Sequence, residues 1–263
     1  MDPATLIGIV VALAALFAFM ILEGSDPMAI FFLPAMILVL VATLGAALAG
    51  STMADAKKVP GWFKLALLPA KVPPATDRIQ TLVTLAEKAR KEGLLALEAQ
   101  VKEIDDPFLK RGLQMGIDGT DPEELRSVLE GEIAAKKAEN KVAAKFFTGM
   151  GAYAPTIGII GTVMGLAHAL EKLDDPAKLG HSIAAALMAT LWGVMSANMM
   201  LLPFGKRILA VAAGDAARME LIIDGVLAIQ AGSNPRLVAQ KLRSLLPPDA
   251  ARAAEAAAGK KAA

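Results

Sequence analysis

Among the polar side chains in the apolar stretches of this sequence, Thr156, Thr162, Thr190, Ser196 and Asn198 carry atoms that could meet an ion or a water molecule. Pro155 and Pro203 lie among them. A proline has no backbone N–H, so each leaves a carbonyl about one turn back without its helical partner. In lipid such a carbonyl must find a neighbouring helix, a hydroxyl or water. Hydroxyls and carbonyls can hydrate or coordinate an ion, but they cannot take up its charge. A proton path normally places an ionisable group inside the membrane. The four apolar runs contain no Asp, Glu, Lys or Arg, and His168 and His181 fall at span edges beside an acidic linker, as interfacial residues would. If ions pass here, the titrating carboxylate must come from a second protein packed against these segments.

The segment from Phe146 to Leu170 is long enough to cross a bilayer, which takes about 20 residues of helix. Gly158, Gly161 and Gly165 are three and four residues apart and share one face, flanked by Ala154 and Thr162. Small residues on one face let another helix approach closely in lipid. Two readings fit the segment: a kinked, tightly packed membrane helix, or a pore-lining helix with hydroxyls toward a water-filled path.

The elements that must hold these residues follow from composition. The chain has 263 residues, 55% of them hydrophobic, with a mean hydropathy of +0.51. That is too apolar for an ordinary soluble protein, and four uncharged runs account for it. The expected fold is an all-α membrane protein with four transmembrane helices and a large helical cytoplasmic loop between the second and third. The expected division is a transmembrane hairpin (1–50), a cytoplasmic helical domain (51–145), transmembrane helices three and four (146–208), and a C-terminal cytoplasmic helix with a disordered tail (209–263). The opening MDPATLIGIVV is expected to be a retained span, having no positive region before its apolar run.

Charge sets the expected orientation. The stretch from Ser51 to Lys145 holds 16 of the 27 Lys and Arg residues, the tail after Pro203 holds 9, and the short linkers hold only Lys172 and Lys178, offset by Glu171, Asp174 and Asp175. Basic residues near span ends stay cytoplasmic, so the large loop and both termini are expected on the cytoplasmic side. Within the loop, breaks are expected at Pro60 and from Pro69 to Pro74. One apolar stripe runs from Ile79 to Ala89 and resumes at Leu94, weakened by Gly93. Asp106-Pro107 opens a short helix, and Asp121-Pro122-Glu123-Glu124 is an N-cap signature for a helix expected to run unbroken into the third span.

Several classes are excluded. The chain has no Cys, one Tyr and 5% aromatics, so thiolate metal chemistry and a stacking nucleic-acid surface are not expected. It has no His-Glu-x-x-His, no phosphate-binding glycine loop and no intramembrane Asp pair, so an enzyme is not expected. No cofactor or metal is expected beyond a transported H+ or Na+.

The third and fourth spans resemble the A-type subunits of ion-driven membrane motors, the flagellar stator, TolQ and ExbB group. The resemblance lies in Ala154-Pro155, Gly158, Gly161-Thr162-Val163 and Gly165, then Thr190-Leu191-Trp192-Gly193, Ala197-Asn198 and Pro203. The N-terminal hairpin, with Thr5-Leu6-Ile7-Gly8, Leu22-Glu23-Gly24, Ala54-Asp55 and Lys57-Lys58, is similar to the four-span flagellar branch. TolQ and ExbB proteins have three spans.

The resemblance implies a ring of five A subunits around two copies of a single-span B subunit, which supplies the membrane Asp and a peptidoglycan-binding domain. Ion passage would turn the ring, and the cytoplasmic loops would push on the rotor protein FliG. It places Thr190 opposite the B-subunit carboxylate and gives Pro155 and Pro203 a part in coupling or gating; with the hydroxyls of Thr156 and Thr162 read from the spans, these residues make up the expected ion path. It matches Arg90 and Glu98 to the rotor contacts. Eight residues apart, about two turns, they are expected near one helix face; an ordinary solvated face is the alternative. Thr162 resembles a residue of sodium-type units and Ala189 departs from them, so both ions stay open. A related subunit driving a non-flagellar process is the alternative function.

Overall fold

The computed structural model describes residues 3–68, 75–171 and 176–252. The expected break from Pro69 to Pro74, the linker residues Lys172, Asp174 and Asp175, and the tail from 253 lie outside the described residues. All regular elements among the described residues are helical. Among the described residues four helices are long and apolar enough to cross a membrane, over Ala4–Leu22, Pro27–Ala49, Pro122–Leu170 and Leu179–Gln230. Contacts group the chain into two compact units, each built from two separate stretches: 1–70 with 139–211, and 71–138 with 212–263.

The first unit begins with α1 (Pro3–Leu22), a 3-10 turn over Pro27–Ile30, and α2 (Leu33–Ala49). The side chain of Asp26 caps the turn by accepting from the Met28 amide at 2.9 Å. Two short helices follow, α3 (Met53–Ala56) and α4 (Val59–Leu67). Helix α4 buries Val59, Trp62 and Ala66. Trp62 packs on Phe146 with ring centres 5.4 Å apart, and Phe63 meets Phe147 edge-on at 5.0 Å. Arg207 reaches the end of α4. Its guanidinium donates to the carbonyls of Leu65 (3.1 Å), Ala66 and Leu68 (3.0 Å), which have no helical partner of their own there.

In the second unit, α5 (Ala75–Glu92) is followed by a 3-10 turn (Leu94–Leu97), α6 (Glu98–Lys102) and α7 (Pro107–Ile117). Asp106 caps α7, its Oδ1 accepting from the amides of Phe108 (3.0 Å) and Leu109 (3.2 Å). Asp121 caps α8 (Pro122–Leu170) in the same way, accepting from the Glu123 amide at 2.9 Å. Both caps stand where the sequence signatures place them, and α8 runs 49 residues without interruption. Leu82, Leu97, Leu109, Leu113, Leu125 and Leu129 are fully enclosed in one apolar cluster of this unit.

One expectation is corrected here. The stripe from Ile79 does not continue as a helix past Gly93, because Gly93 takes φ = +85° and ends α5. Only glycine occupies that region without steric cost. The turn carries Leu97 into the core, where none of its surface is exposed.

The fourth span is not a single uninterrupted α-helix. Helix α9 (Pro176–Ser196) passes through a π-helical turn (Ala197–Leu201) into α10 (Leu202–Gln230). Pro203 is the second residue of α10. A proline ring clashes with the carbonyl four residues back, and the wider turn moves the preceding carbonyls off that ring. Pro155, by contrast, sits inside continuous α8. The last described helix, α11 (Pro235–Ser244), starts with Asn234 as its cap.

The contact that fixes the first unit is between α8 and α9. A Cβ added to Gly158 would lie 2.7 Å from the Ala189 carbonyl oxygen, and one added to Gly193 would lie 2.6 Å from that of Ala154. Both obstacles are backbone, which cannot swing aside. Gly165 faces the Ala186 Cβ, and Gly161 faces Ala189 and Leu38. The expected small-residue face is thus the packing surface. Gly193→Ala is expected to lower stability by about 1–3 kcal/mol through overpacking, read as a fall in the thermal midpoint in detergent. Gly131→Ala, which meets no atom within 4 Å, is expected to leave that midpoint unchanged or raise it.

Candidate ion-path site

The close approach of α8 and α9 brings two of the expected hydroxyls together. Thr162 Oγ1 and Thr190 Oγ1 are 2.5 Å apart. Thr162 Oγ1 is also 3.0 Å from the Ala186 carbonyl on α9 and 3.1 Å from the Gly158 carbonyl on its own helix. A hydroxyl has one proton to give and two lone pairs to receive. The arrangement that satisfies most groups has Thr162 donating to a carbonyl and accepting from Thr190. Thr190 has then spent its proton, and its lone pairs remain to accept from, or coordinate, something else. Both residues are half-buried, so this oxygen lies at the edge of the helix pair and not sealed within it.

The other expected residues are placed differently. Thr156 is exposed and donates to the Tyr153 carbonyl at 2.8 Å. It shares a face of α8 with Ile159, Ile160, Val163 and Met164, spaced three, four, seven and eight residues on, and these four are all more than half exposed. Thr162 lies on the packed side. Thr156 therefore does not join the Thr162–Thr190 pair. Pro155 is half-buried, with its Cα where a side chain on Gly193 would be, at 3.1 Å. Pro203 is half-buried just past the π turn. Ser196 is buried and donates to the Gly193 carbonyl at 3.3 Å, while exposed Asn198 donates to that of Val194 at 2.9 Å.

His168 and His181 are exposed, as expected of span edges, and His168 Nδ1 lies 3.0 Å from Glu171 Oε2. Both line a crevice of about 350 Å³ whose floor includes Gly161, Gly165 and Ala189. Among the described residues no cluster of His, Cys, Asp or Glu is arranged to hold a metal ion.

Sequence reasoning assigned no role to Trp192. The structure shows its Nε1 donating to the Ile30 carbonyl at 2.6 Å within a buried setting, tying α9 to the turn that opens the second span. A buried tryptophan N–H needs such a partner, and that need was the available signal; the acceptor, 162 residues away in sequence, was not visible.

The charged pair of the loop is not on one helix. Arg90 is in the last turn of α5 and Glu98 opens α6, so the two-turn spacing argument fails at Gly93. Both are exposed. Glu98 lies 3.7 Å from Lys102, and Arg90 has no ion-pair partner among the described residues.

If the threonines act as a unit, their effects on stability must couple. Thr162→Val and Thr190→Val are each expected to cost about 1 kcal/mol. The double variant is expected to cost at least about 0.5 kcal/mol less than their sum, measured by chemical or thermal unfolding in detergent. Strict additivity would dissolve the pair.

Known proteins resemble the chain over most of its length. A sequence model described as the MotA/TolQ/ExbB proton channel family matches residues 100–221. The chain is 36% identical over 247 residues to Motility protein A of Bacillus subtilis, covering 94% of this chain and 92% of that one. It is 34% identical over 249 residues to the chemotaxis protein PomA of Vibrio alginolyticus, covering 94% and 96%. Among solved structures, the C. jejuni MotAB structure superposes with a TM-score of 0.90 at 30% identity, covering 95% of this chain and 97% of that one. The flagellar MotAB stator complex of Bacillus subtilis does so with a TM-score of 0.87 at 35% identity, covering 93% and 96%. With its four apolar helices and its near full-length match to the motility proteins, the chain belongs to the MotA/TolQ/ExbB proton channel family, in the branch of the flagellar stator A subunits.

Proposed function

We propose that this chain is the A subunit of a flagellar motor stator, a multi-pass inner-membrane protein that with a single-span B subunit conducts ions and turns their flow into torque. The observation that carries the reading is the Thr162–Thr190 pair. It is a polar locus at a lipid-depth helix contact, in spans with no Asp, Glu, Lys or Arg. Such a locus can strip or relay a hydrated ion but cannot hold its charge, so the acid comes from the partner. The exposed stripe of α8 that carries Thr156 gives a partner helix an apolar face with one hydroxyl in it, a combination suited to helix association in lipid.

The finer points rest on the family resemblance. The assembly is a homopentamer around two B subunits, with both termini and the large loop cytoplasmic. Arg90 and Glu98 meet the rotor protein FliG as two separate exposed groups flanking the Gly93 turn. Pro155 and Pro203 give the ring its points of flexure, and the π turn before Pro203 suits a residue that must change helical hydrogen bonding. The transported ion is H+ or Na+, and no resident cofactor is needed.

Two experiments test this. Thr190→Val removes the hydroxyl at nearly constant volume. It is expected to cut ion flux through the reconstituted A–B complex at least about tenfold, as the loss of about 1.4 kcal/mol of stabilisation would, while the complex still copurifies. Unchanged flux would remove Thr190 from the path. Charge reversal at Arg90 or Glu98 is expected to reduce swimming speed without altering membrane insertion, and compensating reversals on the rotor are expected to restore it. Failure of every compensating pair would overturn the contact assignment.

A further inference from the structure

Where α2 ends and the apolar part of α8 begins, the first unit contains an open cavity of about 520 Å³. Its polar lining comes from Ser51, Thr52, Asp55, Lys145, Thr148 and Tyr153, and its apolar lining includes Trp62 and Phe146. Lys145 and Phe146 are the last charged and first apolar residues of the third span, and Gly50 and Ser51 end the second. The cavity therefore sits at the boundary between hydrocarbon and headgroups, the depth at which tryptophan is favoured.

The hydrogen bonds of the lining decide what it can hold. Ser51 Oγ donates to the Ala47 carbonyl at 2.8 Å, Thr52 Oγ1 donates to Asp55 Oδ2 at 2.8 Å, and Thr148 Oγ1 donates to the Lys145 carbonyl at 3.1 Å. The hydroxyl protons of Ser51, Thr52 and Thr148 are taken, so these three oxygens offer only lone pairs, while the Tyr153 hydroxyl can still donate to an anion. The carboxylate of Asp55 keeps Oδ1 without a hydrogen-bond partner among the described residues. Lys58 is close enough for Asp55 to act on it, but its ammonium is committed to Glu139 at 2.8 Å, whose hydrogen bond holds it above the ordinary lysine range. The Lys145 ammonium has no ion-pair partner among the described residues. The cavity thus presents one unmatched negative group among acceptors, and one unmatched positive group.

The matching occupant carries a cation with N–H protons to donate and an anion beside it, on an apolar tail. We propose that this cavity is a binding site for the phosphoethanolamine headgroup of a membrane phospholipid, with the ammonium toward Asp55 and the phosphate toward Lys145. A choline headgroup has the cation but no N–H to donate. A glycerol headgroup has the phosphate but no cation. The site is independent of ion conduction.

Native mass spectrometry of the full-length chain in detergent tests it, with phosphatidylethanolamine, phosphatidylcholine and phosphatidylglycerol of identical acyl chains in equal amounts. Phosphatidylethanolamine is expected to be retained over phosphatidylcholine by about tenfold, the scale of one charge-assisted hydrogen bond. Asp55→Asn is expected to bring the two near parity, and Asp55→Glu to keep the preference. Lys145→Gln is expected to lower retention of the ethanolamine and glycerol lipids alike. Equal retention of the ethanolamine and choline lipids by the unaltered chain would overturn the proposal, as would a preference unchanged by Asp55→Asn. The chain has no cysteine, so Thr148→Cys gives a single reporter. Efficient disulfide linking of two copies through it in native membranes would show a second subunit covering the cavity, and would also overturn it.

Discussion

The first unit depends on two backbones touching inside a membrane. Where α8 meets α9, the carbonyl oxygens of Ala154 and Ala189 occupy the places that side chains at Gly193 and Gly158 would take. Lipid tails are as apolar as leucine, so burial alone does not draw helices together there, and close packing must supply the attraction. The glycines make that approach geometrically possible. The approach in turn brings Thr162 within 2.5 Å of Thr190 and 3.0 Å of the Ala186 carbonyl. At an ordinary interaxial distance of 8–10 Å, these short polar side chains would be separated by bulkier neighbours. The packing surface and the polar locus are one feature.

Charge is distributed to match. The membrane runs carry none, while the second unit is laced with ion pairs such as Arg78–Asp106 at 2.8 Å, Arg126–Asp224 at 3.0 Å and Lys137–Glu220 at 2.9 Å. Arg78 and Asp106 are largely enclosed, and Asp106 also caps α7. One carboxylate thereby joins the start of one helix to the side of another. Exposed pairs such as Lys137–Glu220 contribute little, typically under about 1 kcal/mol each, and the enclosed leucines around Leu82, Leu109 and Leu129 are the main source of cohesion. This division keeps charge out of the membrane runs and seats the charged groups of the second unit on an apolar core.

The two prolines show that the same residue can be absorbed in two ways. Pro155 stands in continuous α8 beside Gly193, whose lack of a side chain leaves room for it. Pro203 follows a π turn. A π turn changes which carbonyl each amide meets and leaves the helix with more than one workable pattern, whereas α8 is held on one side by backbone contact. Of the two, α10 begins at the point with more freedom to rearrange.

Much of this was legible in the chain alone. Four uncharged runs, the distribution of Lys and Arg, and the caps at Asp106 and Asp121 are local properties. A residue's hydropathy, or its ability to bond an amide two or three positions on, does not depend on distant parts of the chain. The glycine face could be read because helical spacing alone puts Gly158, Gly161 and Gly165 together. Other features needed the fold. Whether the stripe beyond Gly93 continues a helix turned on a backbone angle that the pull of Leu97 into the core decides, so Arg90 and Glu98 share no helix. That Thr162 meets Thr190 while Thr156 faces outward depends on which side of α8 receives α9. Trp192 finds its acceptor at Ile30, and Arg207 its carbonyls at the end of α4, across more than a hundred residues. Sequence determined which groups this protein has and which helices carry them. Tertiary structure decided which groups meet, because a hydrogen bond is made within about 3 Å and only packing brings separate helices that close.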